Sequence, residues 1–311
     1  MNKNSRWAIP VVILAFAGLV VGLVVGGGTR EVVSADIAGP GPLVQWGLPI
    51  WRLIATAASV VTVGFLGYAA VLAPQGRHGV LSQVGRADVV RAGWVALVWS
   101  FSSLMTALWS LAWALGQPLS ETLRPSMIST FAWSVESVRG FIIVSLIALG
   151  IAIACIFTTG ITAAASWMVV SLVAVALPAL TGHASSLGSH GVAMTSDVTH
   201  ALAMTVWVGG LLALVFHAVR NDPGTMRAVP AFRTVATWAV ILLAISGVGA
   251  AFARMNSFSE LWTTEFGVLI VLKVVLLGGL LVTARTLQTK VMGSGKSERA
   301  TLIRVGGLEA L

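Results

Sequence analysis

Long uninterrupted apolar runs constrain this chain more than any other feature of its sequence. Two of them, Trp7–Gly26 and Phe141–Phe157, contain no charged residue at all. Runs of about 18 or more apolar residues are typical of bilayer-spanning helices. Only 10% of all residues are charged, whereas soluble domains carry about 25%. These features exclude a soluble enzyme and a disordered protein, and the one cysteine, Cys155, excludes an intrachain disulfide framework.

Hydropathy along the chain predicts an all-α polytopic membrane protein with about eight transmembrane helices. The apolar runs are continuous rather than alternating, which argues against the strands of a membrane barrel. The first run contains roughly 20 apolar residues, longer than the apolar core of a signal peptide, so we interpret it as an uncleaved helix. The predicted spans lie near residues 7–28, 46–73, 91–115, 137–158, 161–181, 194–219, 232–254 and 262–284.

Most of the basic residues, 13 of 19, lie on one side of the predicted spans, and five arginines lie on the other. The chain has 19 Lys and Arg against 11 Asp and Glu. By the positive-inside rule the basic side is cytoplasmic, together with the N-terminus. We therefore interpret the basic excess as an orientation signal, and we expect a lipid bilayer rather than a nucleic acid as the partner. The residues that carry this signal are Lys3, Arg6, Arg77, Arg86, Arg91, Arg220, Arg227, Arg233, Arg285, Lys290, Lys296, Arg299 and Arg304.

A weak parallel repeat relates the second to fourth spans to the sixth to eighth spans. Leu119–Leu123, which reads LSETL, resembles Phe258–Trp262, which reads FSELW, and a run beginning with glycine follows each. The match is short, and chance explains it as well as a duplication does. Residues 291–311 are predicted to begin a further helix that is cut short, because no stop signal follows them.

The densest group of polar residues joins the fifth and sixth spans on the predicted outer side. Asp197 and His200 are three residues apart and share one helix face. Imidazole and thioether ligands suit copper, and thioethers select Cu(I). Asp197 either binds the metal or accepts the second N–H of a ligating histidine. The alternative is a polar cap on two helix ends. The candidate metal ligands are His183, His190, Met194, Asp197, His200 and Met204.

Other polar and small residues in the spans have separate roles. Trp207, Gly209 and Gly210 are predicted to serve helix packing, because small residues allow helices to approach closely. Lys273 is predicted to lie inside the membrane, where an ammonium needs a partner, and it serves either an ion pair or transport. His217 lies roughly 25 Å along the helix from His200, so it is predicted to stand apart from the outer site.

Several of these residues resemble a known family, the copper resistance protein D (CopD) family. The close resemblance covers residues 182–284, within a CopD-like membrane domain predicted over residues 1–290. The stretch 40–49 resembles a fused bacterial form, in which a CopD-like half precedes a cytochrome c oxidase copper-assembly factor. The matching motifs are Gly182-His183-Ala184, Asp197-x-x-His200, Trp207-x-Gly209-Gly210-Leu211, Ser246-Gly247 and the stretch from Leu261 to Lys273.

The resemblance implies copper transport or copper handling at the bacterial plasma (inner) membrane. It implies His183 and His200 as the copper contacts, with Asp197 supporting them and His190 in a variable loop. The implied partners are an extracytoplasmic copper-binding protein and cytochrome c oxidase or its assembly factors. We expect no enzyme activity, since the sequence lacks a nucleophile triad, a phosphate loop and paired carboxylates. Two alternatives stay open: a b-type haem-binding electron carrier using His183 and His200, and a structural subunit of a respiratory oxidase assembly.

Overall fold

The computed structural model describes residues 40–74, 76–181, 190–220, 222, 224–255, 257–264, 267–272, 274, 275 and 278. Across these ranges the regular structure is helical, and the only β-type pairing is one isolated bridge between Val80 and Gly160. The helices are α1 (Pro42–Gly67), α2 (Gln83–Leu115), α3 (Leu119–Thr122), α4 (Pro125–Phe131), α5 (Glu136–Phe157), α6 (Ile161–Leu180), α7 (His190–Arg220), α8 (Thr225–Arg254) and α9 (Glu260–Thr263).

Six helices in the described part of the chain are long and apolar enough to cross a membrane. They are α1 with the π-helical turn Tyr68–Leu72 that continues it, α2, α5, α6, α7 and α8. They coincide with the second to seventh predicted spans, which agrees with an all-α polytopic membrane protein. The first predicted span lies outside the described residues, and the eighth is described only in part.

Four helices begin at least four residues earlier than hydropathy predicts. α1 begins at Pro42 rather than near residue 46, α2 at Gln83 rather than 91, α7 at His190 rather than 194, and α8 at Thr225 rather than 232. Each of these extensions contains polar or small residues, and the Ser82 hydroxyl caps α2 by accepting the backbone N–H of Gly85. Hydropathy finds the apolar centre of a helix but not such polar ends. The basic residues that were expected in loops and lie in helices instead are Arg86, Arg91, Arg220, Arg227 and Arg233.

The described chain divides into two compact units, of which the larger contains residues 40–210 and 230–253. In this unit α2 packs most extensively against α1 and α5, and α6 packs against both α1 and α5. The buried residues Ser100 and Ser145 join α2 to α5, since each hydroxyl donates to the other residue's carbonyl, at 2.9 and 2.8 Å. This exchange gives both hydroxyls a partner within an apolar interface.

The short helices α3 and α4 lie in the connection between α2 and α5. Hydropathy did not predict them, because they are too short to span a bilayer. Ile128 and Phe131 of α4 pack against a small apolar cluster of Ala107, Leu111, Ala132 and Val138. The segments of the weak repeat correspond to α3 and α9, which are both single-turn helices. This similarity agrees with a duplication, although a chance match remains open.

The long helices leave broad apolar faces exposed. On α8 the exposed side chains include Trp238, Ile245 and Phe252, each more than 60% accessible. Soluble monomers rarely expose contiguous apolar patches larger than a few hundred Å². Such faces fit contact with lipid tails.

The smaller unit contains residues 211–229 and the described residues from 254 onward. Its buried His217 is held by Asp222, whose Oδ2 lies 2.7 Å from His217 Nδ1. The backbone N–H of Asp222 donates to the His217 carbonyl at 3.1 Å, and the Thr225 hydroxyl donates to the Asp222 carbonyl at 2.8 Å. These bonds stabilise the turn between α7 and α8, which gives His217 a structural role in this turn.

Candidate metal site

The parts of α7 and α8 that belong to the larger unit carry the described part of the predicted metal site. A Cβ added to Gly249 would clash with Ser196 Oγ, and one added to Gly210 would lie 2.5 Å from Phe232 Cε2. Early residues of α7 therefore meet late residues of α8, so the two helices run antiparallel. Because glycines lie at both contacts, the backbones approach closely.

His200 lies between these two contacts and joins α7 to α8. Its Nδ1 lies 3.2 Å from the hydroxyl oxygen of Ser246, a buried residue of α8. The same oxygen lies 3.1 Å from the Leu243 carbonyl oxygen. The helix α7 begins at His190, so His200 lies about 15 Å along the helix from that end. This is deeper in the helix than a span starting at residue 194 had indicated.

The other predicted ligands whose side chains are described lie on the same helix as His200, at six and three residues before it and four residues after it. Met194, Asp197 and Met204 are all half-buried, as is His200 itself. No three His, Cys, Asp or Glu side chains come together as metal ligands in the part of the chain that the structure describes. The predicted site depends on His183, which lies outside the described residues, as do the side chain of His190 and the whole of Lys273. The metal site therefore stays a prediction.

The last described residue before His183 is Thr181, at the end of α6. Its hydroxyl donates to the Leu177 carbonyl at 3.1 Å. A Cβ added to Gly140 would lie 2.5 Å from Thr181 Oγ1. The chain thus leaves α6 against the first turns of α5, two residues before His183.

Gly209 and Gly210 lie at contacts with two different helices. A Cβ on Gly209 would lie 2.5 Å from the Val60 carbonyl oxygen, and one on Gly64 would clash with the Gly209 carbonyl. The backbones of α1 and α7 therefore cross at Gly64 and Gly209. Gly210 contacts Phe232 of α8 instead, and Trp207, one turn earlier, is half-buried.

Sequence reasoning missed two residues that shape this region. Ser246 was noted only as part of a motif, although it is the hydroxyl that His200 contacts. Gly64 was not singled out, because a glycine in an apolar span does not reveal which helix crosses it. The only sequence signal that could have indicated these two residues is the presence of serine and glycine inside neighbouring apolar spans.

Comparison with known families finds one match, in the last part of the sequence. Residues 226–311 match the family model described as copper resistance protein D, CopD. This match supports a CopD family assignment. It confirms the family resemblance for the part that follows residue 225, and with the six apolar helices it indicates a multi-pass membrane protein. The CopD family suggests a part in copper resistance or copper handling.

The matched segment contains only part of the region around the predicted metal site. The match contains Ser246 and begins after His200. His183, Asp197 and His200 therefore precede the segment that carries the family assignment. The comparison with curated proteins found no match, and neither did the comparison with solved structures.

Proposed function

We propose that this protein transports or hands on copper at the bacterial plasma membrane, with copper as its cargo rather than a resident cofactor. The match to the CopD family over residues 226–311 is the observation that carries this proposal. The copper enters from the extracytoplasmic side at His183, Asp197 and His200. The protein exchanges it with an extracytoplasmic copper-binding protein, or passes it towards cytochrome c oxidase assembly, and catalyses no reaction itself.

The distribution of charged residues at the helix ends supports an extracytoplasmic position for the copper site. Basic residues lie near the start of α2 and α8 and in the last turn of α7: Arg86, Arg91, Arg220 and Arg227. Glu121 and Glu136 lie beyond the opposite end of α2 and at the start of α5. His200 belongs to the half of α7 that is remote from Arg220. Under the positive-inside rule this pattern supports the extracytoplasmic half of the helix for His200.

The side chains near His200 have the chemistry that copper requires. Imidazole nitrogen binds copper in either oxidation state, and the thioethers of Met194 and Met204 favour Cu(I). Asp197 adds a carboxylate one turn before His200 on the same helix. In a half-buried position these groups are only partly hydrated, so a bound ion replaces little water. The set suits capture of a soft cation at the edge of the membrane.

Copper analysis of the purified protein tests the proposal. Wild-type protein is expected to bind copper stoichiometrically, and the double variant His183→Ala with His200→Ala is expected to lose that copper, because two of its ligands are gone. His78→Ala is the matched control, since His78 is exposed in the connection between α1 and α2. Unchanged copper content in the double variant would overturn the site. A Soret band in the same sample would favour haem instead.

A further inference from the structure

Arg52 is an exposed cationic residue of α1, a helix that begins at Pro42. Its guanidinium carbon lies 5.7 Å from the centre of the Phe141 ring of α5. This cation–π contact holds the guanidinium against the ring but leaves its N–H groups able to donate hydrogen bonds. Among the residues that the structure describes, no carboxylate or carbonyl pairs with this guanidinium. Arg52 is therefore held against α5 with its hydrogen-bonding capacity unused.

The length of α1 indicates how deep Arg52 lies in the membrane. No charged residue follows it before Leu72, where the π-helical turn that continues α1 ends. The 20 residues from Leu53 to Leu72 extend over about 30 Å at the helical rise of about 1.5 Å per residue. This length equals the thickness of the hydrocarbon core of a bilayer. When the segment fills the core, Arg52 lies at its boundary, at the level of the lipid phosphate groups.

Tryptophans occur at the same level of the protein. Trp51 precedes Arg52, and its ring centre lies 6.0 Å from that of Trp109 in α2. Trp109 Nε1 in turn donates to the Leu43 carbonyl at 3.3 Å, near the start of α1. Tryptophan rings are enriched where the lipid headgroups meet water. These aromatic residues agree with the depth that the length of α1 gives to Arg52.

We propose that Arg52, held against Phe141, binds the phosphate group of an anionic phospholipid. The planar guanidinium matches two phosphate oxygens and makes charge-assisted hydrogen bonds to them. A lipid with a net negative charge is favoured, because no carboxylate in the described part of the chain balances the charge of Arg52. An acidic partner protein fits less well, since Arg52 lies about 15 Å along the helix from Pro42, at the boundary of the lipid core. The proposal concerns a lipid and does not depend on copper binding.

Native mass spectrometry of the full chain in detergent measures lipid binding directly. Phosphatidylglycerol, an anionic phospholipid, is expected to bind the wild-type protein more tightly than zwitterionic phosphatidylcholine. Arg52→Gln is expected to weaken phosphatidylglycerol binding by about tenfold, which is equivalent to about 1.5 kcal/mol, the lower end of the range for a hydrogen bond to a charged group. Arg52→Lys keeps the charge but not the planar fork, so an intermediate affinity is expected.

Arg124→Gln is the matched control for the loss of one positive charge. Arg124 is also exposed, in the connection between α2 and α5, but it is already paired with Glu121, so its loss is expected to leave lipid affinity unchanged. Equal losses in Arg52→Gln and Arg124→Gln overturn the proposal, since both then act through overall charge. Circular dichroism checks that Arg52→Gln keeps the helix content of the wild-type protein. If it does not, Arg52→Lys decides, and an affinity equal to that of the wild type overturns the proposal.

Competition distinguishes a lipid from a free anion. Inorganic phosphate at millimolar concentration is expected to leave bound phosphatidylglycerol in place, because it lacks the acyl chains that contact the apolar helix faces. Displacement of the lipid by inorganic phosphate, equal affinity for the two lipids, or normal phosphatidylglycerol binding in Arg52→Gln each overturns the proposal.

Discussion

Gly209→Ala is expected to destabilise the folded protein by about 2 kcal/mol, within the range of 1–3 kcal/mol found for overpacked interiors. The added methyl group would lie 2.5 Å from the Val60 carbonyl oxygen and 3.1 Å from the Gly64 backbone nitrogen. Both are main-chain atoms, so a rotamer change cannot relieve the clash. The helices α1 and α7 must move apart, which removes contacts along the crossing.

Thermal unfolding in detergent, followed by circular dichroism, measures this effect. Gly150→Ala is the matched control, because Gly150 lies inside α5 and a Cβ there would meet no atom within 4 Å. Alanine forms helix better than glycine by about 1 kcal/mol, so the control is expected to be neutral or stabilising. Equal stability of the two variants would contradict the close crossing. Gly64→Ala is expected to behave like Gly209→Ala, and the double variant to fall short of the sum, since both residues share one contact.

Arg86→Ala is expected to destabilise the protein by about 3 kcal/mol, since hydrogen bonds of charged groups contribute about 1.5–3 kcal/mol each and water replaces some of them. The guanidinium of Arg86 in α2 donates to the carbonyls of Cys155, Ile156 and Thr158, at 2.7, 2.6 and 2.8 Å. These carbonyls end α5 and have no partner within the helix. A cation at a helix C-terminus also interacts favourably with the helix dipole. The single side chain therefore links the start of α2 to the end of α5.

Two further variants separate the hydrogen bonds of Arg86 from its charge. Arg86→Lys keeps the charge, but an ammonium lacks the planar fork that reaches three carbonyls, so an intermediate loss is expected. Arg233→Ala removes an exposed arginine of α8 and is expected to leave the unfolding temperature unchanged. If Arg86→Ala unfolds at the same temperature as Arg233→Ala, the three hydrogen bonds do not stabilise the fold.

Arg86 is also an example of a residue at a helix end that the sequence did not predict to be helical. Hydropathy assigned it to a loop because its neighbours are polar and charged. In the structure it lies in the first turn of α2, where Ser82 caps the helix and the end of α5 supplies acceptors. A polar segment becomes helical here because a distant element satisfies its side chain. Such a partner is 69 residues away in the chain, and no local pattern contains it.

Around the candidate metal site, too, the sequence predicted the local structure but not the contacts between helices. The spacing of Asp197 and His200 predicted a shared helix face, and α7 runs through both residues. The spacing did not reveal that Nδ1 of His200 lies 3.2 Å from the hydroxyl oxygen of Ser246, 46 residues later. That contact depends on the register between α7 and α8, which small residues such as Gly210 and Gly249 set. The periodicity of a sequence predicts which face of a helix a residue lies on, but not which other helix packs against that face.

The sequence by itself determined the six described spans, the all-α class and the CopD resemblance. These follow from local chemistry, because a bilayer demands continuous apolar segments with internally satisfied backbones. Only the tertiary structure decided that Gly209 crosses α1, that Arg86 holds the end of α5 and that Ser246 contacts His200. Each of these contacts joins residues far apart in the chain. They arise because close packing admits only a few arrangements of neighbouring helices, and a linear pattern does not encode which one is reached.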